Sequence, residues 1–437
     1  MLLITNVLLQ LKDKLKKRLM LVWILQTGEP LNCDDNQLRP MRAINLSKAL
    51  VSRGHKVEII STRFFHQEKR FRNNIKKNNI TGIKETLVDS PGYKSNISVR
   101  RLFDHHILSF NLLINLLRKE EKPDIMFVGF PPIEWSLISI CYSFLKSIPI
   151  VIDVKDLWPD IFWDKENINP VKKEFIKFLF LPYRIYSILI ASLSDFITGP
   201  TELIAKYFKN NYQNKFLSKI LKNRDPKTFP SPIVPPKEED SIKLDLIKTD
   251  PKECLNILFI GSLMSVYDFE TIQKSIEILN KKKIKIQLFI AGRGGSENYI
   301  KDIFNHIENV YFLGWINRKE AIDISLNCHL ALAPYKNIKN YELNLVNKYI
   351  DYMSLGLPIL SPLRGFPFEL INKYEIGWNY PPKNSSTLAI IIMDIIESPN
   401  KIKLRSENAI TLFKTKYNFE IVYDQLVNKL EQITNNK

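Results

Sequence analysis

Cysteine and glycine are both scarce in this chain, which has four cysteines and 14 glycines among 437 residues. The cysteines lie far apart with no paired spacing, so the sequence predicts neither a disulfide framework nor a metal site, and it suits a reducing compartment. They are Cys33, Cys141, Cys254 and Cys328. The few glycines form no complete G-x-G-x-x-G motif at the start of either half, which disfavours a dinucleotide cofactor.

The chain also lacks an uninterrupted apolar run of about eighteen residues, the length that predicts a membrane-spanning helix. Its most apolar stretch, residues 176–193, is broken by Lys177, Pro182 and Arg184. We expect a buried or membrane-facing helix pair there. Residues 1–19 are basic and amphipathic but lack the order of a signal peptide, so we expect an N-terminal extension outside the fold.

Positive charge is in clear excess. The chain has 63 Lys and Arg against 46 Asp and Glu, a formal net charge of +17, and its hydrophobic share of 45% is that of a globular protein. Such a charge favours an acidic partner: a nucleic acid, an anionic membrane surface or a phosphorylated substrate. No RNA-binding module with interleaved basic and aromatic residues is present, so a nucleic acid is not expected.

Strand and helix patterns alternate twice along the chain. At roughly 100–200 residues per domain the length fits two domains, and the alternation predicts an α/β fold with two Rossmann-like parallel-sheet domains facing across a cleft. The predicted units are an N-terminal domain at 20–224, a proline-rich and charged linker at 225–253, a C-terminal domain at 254–400 and a closing helical segment at 401–437. Residues 406–433 read as one long helix. A ligand is expected in the cleft, where the strands present their carboxyl ends.

Two glycine-containing turns follow predicted strands of the second domain. Gly261 and Ser262 come after LNILFI, and Gly292 and Arg293 come after KIQLFIA. Such turns present backbone N–H groups to a phosphate, and Arg293 adds a guanidinium. A plain tight turn is the alternative interpretation.

The most informative segment is NYELNLVNKYIDYMSLGLP at 340–358, which predicts a loop entering a helix. Lys348 and Asp351 stand at i and i+3, so they share one face of that helix. A cation for a phosphate and a carboxylate for sugar hydroxyls could then point into one site. A solvated ion pair is the alternative.

This segment resembles the donor-site motif of retaining GT-B glycosyltransferases, in particular the family 4 enzymes of bacterial polysaccharide assembly. The resemblance runs from residue 20 onward. SRGHKVEII, the D-L-W-P motif in DVKDLWPD and the ENINP loop at 166–170 are similar to the family's first domain. FIGSL, IAGRGG, NVYFLGW and LALAPY occur in the order of its second domain.

The resemblance implies a hexosyl- or N-acetylhexosaminyl-type transferase that takes a nucleotide sugar, with a UDP-sugar as first choice. The acceptor would be a lipid-linked saccharide of the undecaprenyl-diphosphate type, and the product a surface polysaccharide such as O-antigen or capsule. The enzyme would act without a metal or other cofactor, in the cytoplasm, at the inner face of an anionic membrane. A nucleotide-sugar 2-epimerase of the same fold and an inactive scaffold remain alternatives.

By resemblance, the site residues divide into three groups. The predicted catalytic residues are Lys348, Arg293 and Asp156. The predicted donor-binding residues are Gly261, Ser262, Gly292, Glu342, Asn347 and Asp351, of which Asp351 corresponds to the ribose-binding carboxylate. Glu342 is included because Leu343 stands where the family often has its first Glu. Arg39 and Asp156, on the first domain, are expected to face the acceptor; a structural ion pair for Arg39 and a strand-end cap for Asp156 are the alternatives.

Overall fold

The computed structural model describes residues 19–34, 38–72, 82–95, 98–164, 168–222, 225–236 and 250–435. Residues 1–18 of the predicted extension, residues 237–249 of the predicted linker, and Glu166 and Asn167 of the ENINP loop lie outside these ranges.

The first domain is built on a sheet of seven parallel strands in the order β5-β2-β1-β6-β7-β8-β9. β3 and β4 form a separate antiparallel hairpin. The inner strands are buried along almost their whole length, as expected for a parallel sheet covered on both faces. The strands are β1 (Leu21–Leu25), β2 (Lys56–Thr62), β3 (Phe64–Phe65), β4 (Arg70–Phe71), β5 (Ile83–Val88), β6 (Ile125–Phe130), β7 (Ile150–Val154), β8 (Phe196–Gly199) and β9 (Lys227–Pro230).

Helices connect these strands in the manner of βαβ crossovers. They are α1 (Arg42–Ser52), α2 (Val99–Leu117), α3 (Ile133–Lys146), α4 (Pro170–Leu179), α5 (Leu181–Leu193), α6 (Glu202–Tyr212) and the single turn α7 (Lys215–Leu217). α2 begins at Val99, where the Ser98 side chain caps the helix by accepting from the Arg101 backbone N–H at 3.2 Å.

The second domain has a six-stranded parallel sheet in the order β12-β11-β10-β13-β14-β15. Its strands are β10 (Leu255–Ile260), β11 (Ile286–Ala291), β12 (Val310–Gly314), β13 (Leu330–Leu332), β14 (Ile359–Ser361) and β15 (Gly377–Asn379). Its helices are α8 (Phe269–Lys281), α9 (Glu297–Phe304), α10 (Arg318–Ser325), α11 (Lys339–Glu342), α12 (Asn347–Ser354), α13 (Phe366–Tyr374) and α14 (Ser385–Glu397). The predicted fold class is therefore confirmed.

Two helices follow the second domain, and the last of them returns to the first domain. They are α15 (Pro399–Leu412), which packs on α12, and α16 (Phe419–Asn435), which packs on α1. His55 Nε2 lies 2.9 Å from the Glu431 carboxylate, and Arg53 pairs with Asp424 at 2.8 Å. One core cluster consequently includes residues of both domains and of α16.

The structure differs from the sequence prediction in two elements. The predicted helix at 406–433 is wrong, because a π-turn at Phe413–Tyr417 ends the first helix and Asn418 starts the second, its side chain accepting from the Ile421 N–H at 2.9 Å. Residues 227–230, assigned to the linker, form β9. Pro230 is tolerated there because β9 is an edge strand.

Candidate active site

A cavity of about 1190 Å³ lies between the two domains. Its wall includes residues at the carboxyl ends of β7 and β10, namely Lys155, Asp156, Ile260 and Gly261, together with residues of α12. Parallel sheets bind their ligands at this edge of the strands. The predicted cleft is therefore present.

Gly261 forms the second-domain wall of the cavity at the end of β10. Its φ of +149° lies in a region that L side chains rarely adopt, and a Cβ there would overlap the Lys348 amine. A Cβ on Gly292 would overlap the Gly261 carbonyl. Gly292 thus packs against the Gly261 turn on the side away from the cavity and is not part of the cavity wall. Ser262 is exposed and does line the cavity.

Lys348 reaches the same turn from α12. It is only 7% exposed, its amine donates to the Ile260 carbonyl, and it lies 4.4 Å from the ring centre of Phe259 and 5.3 Å from that of Tyr267. Burial lowers the pKa of Lys348 to about 7, and the Asp351 carboxylate opposes part of this shift. A cation that is poorly solvated in the free protein gains most from an anionic ligand.

Asp351 lies one turn further along α12 and faces the first domain. Its Oδ2 accepts from Arg39 Nη1 at 2.7 Å, so the predicted ribose carboxylate and the predicted acceptor-side arginine contact each other. Asn347, half-buried, also lines the cavity.

Asp156 lines the first-domain side, but a side chain of the second domain holds it. The Asn340 amide donates to Asp156 Oδ1 at 3.0 Å and accepts from the Leu157 N–H at 2.7 Å. Burial raises the pKa of the Asp156 carboxyl, whereas the Asn340 hydrogen bond and Lys155 act in the opposite direction.

Besides Gly292, two further predicted site residues do not line the cavity. Arg293 is exposed outside it, in the loop after β11, where its carbonyl accepts from the Leu263 N–H at 2.9 Å. Glu342 ends α11 with its carbonyl against Gly365. A donor bound in the cavity would therefore not contact Arg293 or Glu342 in this structure.

Leu343, at the position where the resembled family often has a Glu, packs on the core of the first domain. Its carbonyl accepts from the Thr201 hydroxyl. Leu343 of the second domain therefore contacts the first domain through both its side chain and its carbonyl.

Several cavity-lining residues were missed in the sequence analysis. Lys155 follows β7 and pairs with Glu29, whose other carboxylate oxygen accepts from the Ala43 N–H at 2.8 Å near the start of α1. Trp315, half exposed, and Arg318 follow β12. Their position after strand ends is the signal that could have identified them.

Within the described ranges, no group of three His, Cys, Asp or Glu side chains is placed to hold a metal ion. No single helix there is long and apolar enough to cross a membrane, although α4 and α5 together, bent by 64°, reach the necessary length and composition.

A known protein family matches the second domain of this chain. Residues 243–411 match the family described as Glycosyl transferases group 1. The match covers the second domain, which is therefore similar to a group 1 glycosyltransferase domain. No curated protein sequence matches the chain.

Solved structures resemble nearly the whole chain at low identity. A sucrose-phosphate synthase from Thermosynechococcus elongatus is 12% identical, with a TM-score of 0.69 over 96% of this chain and 100% of that one. Anabaena HepE in complex with UDP and glucose is 13% identical, with a TM-score of 0.63 over 94% and 100%. WaaG, a glycosyltransferase of lipopolysaccharide biosynthesis, is 13% identical, with a TM-score of 0.62 over 95% and 100%. These likenesses show the GT-B fold.

The matched domain contains Gly261, Ser262, Lys348 and Asp351, which the structure brings together on one wall of the cavity. Together, the domain match and the fold support glycosyltransferase activity with a nucleotide-sugar donor.

Proposed function

We propose that this chain is a retaining family 4 glycosyltransferase that moves a hexosyl or N-acetylhexosaminyl group from a UDP-sugar to a lipid-linked glycan in O-antigen or capsule biosynthesis. The observation that carries the proposal is the position of Lys348, whose amine lies against the Gly261 turn inside the cavity between the domains.

The donor would lie along the second-domain wall. Lys348 and the backbone at Gly261 and Ser262 would bind the diphosphate, Asp351 the ribose hydroxyls, and the exposed ring of Trp315 the base. UDP is the first choice of nucleotide because HepE, which shares the fold, is known with bound UDP and with UDP-glucose.

The proposed step breaks the bond between the sugar C1 and the diphosphate oxygen, which keeps the electron pair. The acceptor hydroxyl oxygen bonds to C1 from the same face, and its proton passes to the departing diphosphate. Negative charge therefore develops on the diphosphate. The Lys348 ammonium, which lies at the turn that would bind the diphosphate, would stabilise this charge. Because ammonium and backbone N–H groups supply this stabilisation, we expect activity to persist in EDTA.

The lipid-linked acceptor is inferred from the surface of α4. No residue of α4 is buried, and four large apolar side chains on it are at least 63% exposed. They are Val171, Phe175, Phe178 and Leu179. Exposed apolar side chains of this size in one short helix are typical of a membrane or protein contact.

A row of aromatic rings connects this surface with the cavity. The ring of Phe180, between α4 and α5, stacks on Phe162 at 4.4 Å, and Phe162 packs on Trp158 at 4.7 Å. Trp158 follows the cavity-lining Asp156 by two residues. A lipid carrier in the membrane beneath α4 would therefore place its saccharide near the first-domain side of the cavity.

The test begins with a panel of UDP-, GDP-, dTDP- and ADP-sugars, scored by protection of the protein against heat unfolding. The protecting donor is then incubated with undecaprenyl-diphosphate saccharides, and the anomeric configuration of the product is read by NMR. We expect one donor to protect and to be transferred with retention, with and without EDTA, and Lys348→Met to abolish transfer.

Three results would contradict the proposal. Protection by no nucleotide sugar would remove the donor site. Conversion of the donor to its 2-epimer without an acceptor would identify an epimerase. Protection without transfer to any saccharide would favour the inactive scaffold.

A further inference from the structure

Arg39 belongs to the first domain, but its guanidinium lies against the donor wall of the second. Arg39 stands in the segment between β1 and α1, and its Nη1 donates to Asp351 Oδ2 at 2.7 Å. Asp351 is one turn from Lys348 on α12. The side chain expected to face the acceptor is therefore in contact with the helix that carries the phosphate-binding lysine.

The contact between Arg39 and Asp351 leaves both groups incompletely paired. A guanidinium and a carboxylate can form two parallel hydrogen bonds, and this pair forms one. Arg39 Nη2 and Asp351 Oδ1 are both buried, and neither has a hydrogen-bond partner among the described residues. The two side chains are 29% and 24% exposed, so water weakens their attraction. Such a pair is readily exchanged for a ligand that satisfies all its atoms.

The donor site is short of positive charge without Arg39. A nucleoside diphosphate carries at least two negative charges, whereas the FIGSL turn contains no cation and Arg293 is exposed outside the cavity. Lys348 supplies one ammonium, and burial lowers its pKa. Lys155 is engaged with Glu29. Two cavity-lining cations of the described residues bond to α12: Arg318 donates to the Ser354 hydroxyl at its end, at 3.0 Å, and Arg39 donates to Asp351, one turn from Lys348. Arg39 is therefore the nearer of the two to Lys348 along the helix.

We propose that Arg39 is the second catalytic cation for the diphosphate of the donor. This inference rests on the proposed function. As the ribose hydroxyls bind Asp351, the guanidinium moves from that carboxylate to the diphosphate oxygens. It stabilises the negative charge that develops as the bond to C1 breaks, and it neither gains nor loses a proton. Because the first domain carries Arg39, stabilisation of the leaving group requires both domains.

Titration calorimetry with UDP and with uridine tests this role in the full-length protein. Arg39→Ala should weaken UDP binding by about 10- to 100-fold, the effect of losing a charge-assisted hydrogen bond, and should leave uridine binding unchanged. Arg39→Lys should recover part of the UDP affinity. Lys48→Ala, which removes another cavity-lining cation of the first domain, should bind UDP like the wild type. Asp351→Asn should weaken uridine and UDP alike, since both contain the ribose.

The same variants separate the alternatives, with thermal unfolding used to verify that each one is folded. Unchanged UDP affinity in Arg39→Ala with a raised KM for the acceptor would place Arg39 on the acceptor side and overturn the inference. Equal loss of UDP and uridine binding in Arg39→Ala would show that the residue only holds the domains together. If the wild type binds none of UDP, GDP, dTDP and ADP, the proposed function fails and the role of Arg39 fails with it. If the wild type binds UDP and Arg39→Ala binds it equally well, the role of Arg39 alone fails.

Discussion

The shape of the donor wall depends on two glycines, Gly261 and Gly292, that have no side chain. At Gly261 the space that a Cβ would occupy is filled by the Lys348 amine, and at Gly292 it is filled by the Gly261 carbonyl. The lysine reaches the Ile260 carbonyl only because residue 261 has no side chain. The position of the Lys348 amine thus depends on Gly261, which lies 87 residues earlier in the sequence.

We expect Gly261→Ala to reduce transfer at least 100-fold. The added methyl group would displace the Lys348 amine from the turn, and alanine would also be strained at a φ of +149°. Gly295→Ala is the matched control, because a Cβ there would meet no atom within 4 Å and its φ is not positive. Steady-state kinetics and thermal unfolding of both variants check the prediction. Comparable activity in the two variants would show that the turn does not depend on the missing Cβ.

The depressed pKa of Lys348 predicts a pH dependence of donor binding. With a pKa of about 7 in the free protein, Lys348 is charged below pH 7 and increasingly neutral above it. A diphosphate favours the charged form, so the affinity for a UDP-sugar, whose doubly esterified diphosphate does not titrate in this range, should be constant below pH 6 and fall by up to tenfold per pH unit above about pH 7. Binding near pH 8 should also take up a proton, visible as different calorimetric enthalpies in buffers of different ionisation enthalpy. Equal affinity at pH 6 and pH 9 would contradict the assignment.

At the scale of elements, the short helix α11 and the turn after it connect the two domains. Asp164 Oδ2 accepts from the Lys339 N–H at 2.6 Å, and Asn344 donates to the Lys155 carbonyl at 3.2 Å. The Asn340 amide binds both Asp156 and Leu157. Each contact joins residues at least 175 positions apart. The second domain is therefore fixed to the carboxyl ends of the first-domain strands, beside the cavity.

We expect Asn340→Ala to loosen the two domains. It would leave the buried Asp156 carboxylate and the Leu157 N–H without their partner, a loss of about 2–4 kcal/mol in the free energy of unfolding. Calorimetric unfolding should then separate into two transitions, and the radius of gyration from X-ray scattering should rise. Asn337→Ala is the control, since Asn337 makes comparable bonds to Pro362 and Arg364 within the second domain. The same change in both variants would argue against a connecting role for α11.

The elements themselves could largely be predicted, because strand and helix periodicities are local. Lys348 and Asp351 were placed on one helix face from their spacing alone. The contact of Arg39 with Asp351 spans 312 positions, and no sequence pattern encodes it. Arg293 is predicted in the site, but its loop bonds to the backbone of Leu263, 30 positions earlier in the chain (293 − 263), and the sequence pattern does not encode that contact. β9 was missed because prolines around it imitate a linker.

At the scale of the whole molecule, charge and apolar surface occur together. The net charge is +17, and α4 carries three lysines among its exposed apolar side chains, against one Glu. These lysines are Lys172, Lys173 and Lys177. The large apolar side chains of α4 are more exposed than Phe368, a 44% exposed phenylalanine of the second domain. The lysines of α4 would thus be attracted to an anionic bilayer, and the exposed apolar side chains of the same helix could insert into it.

We expect the protein to sediment with phosphatidylglycerol vesicles at low salt, to be released as salt rises, and not to bind phosphatidylcholine vesicles. Three lysines near an anionic surface contribute about 1 kcal/mol each, and salt shortens their range to about 10 Å at 0.1 M. Each buried Phe side chain adds about 1.5–3 kcal/mol. The double variant Phe175→Ser and Phe178→Ser should therefore bind the vesicles at least tenfold more weakly, whereas Phe368→Ser should bind like the wild type.

Equal binding to both lipids would show that electrostatic attraction does not contribute. Unchanged binding of the double variant would place the membrane contact elsewhere, with the basic residues 1–19 as the next segment to test.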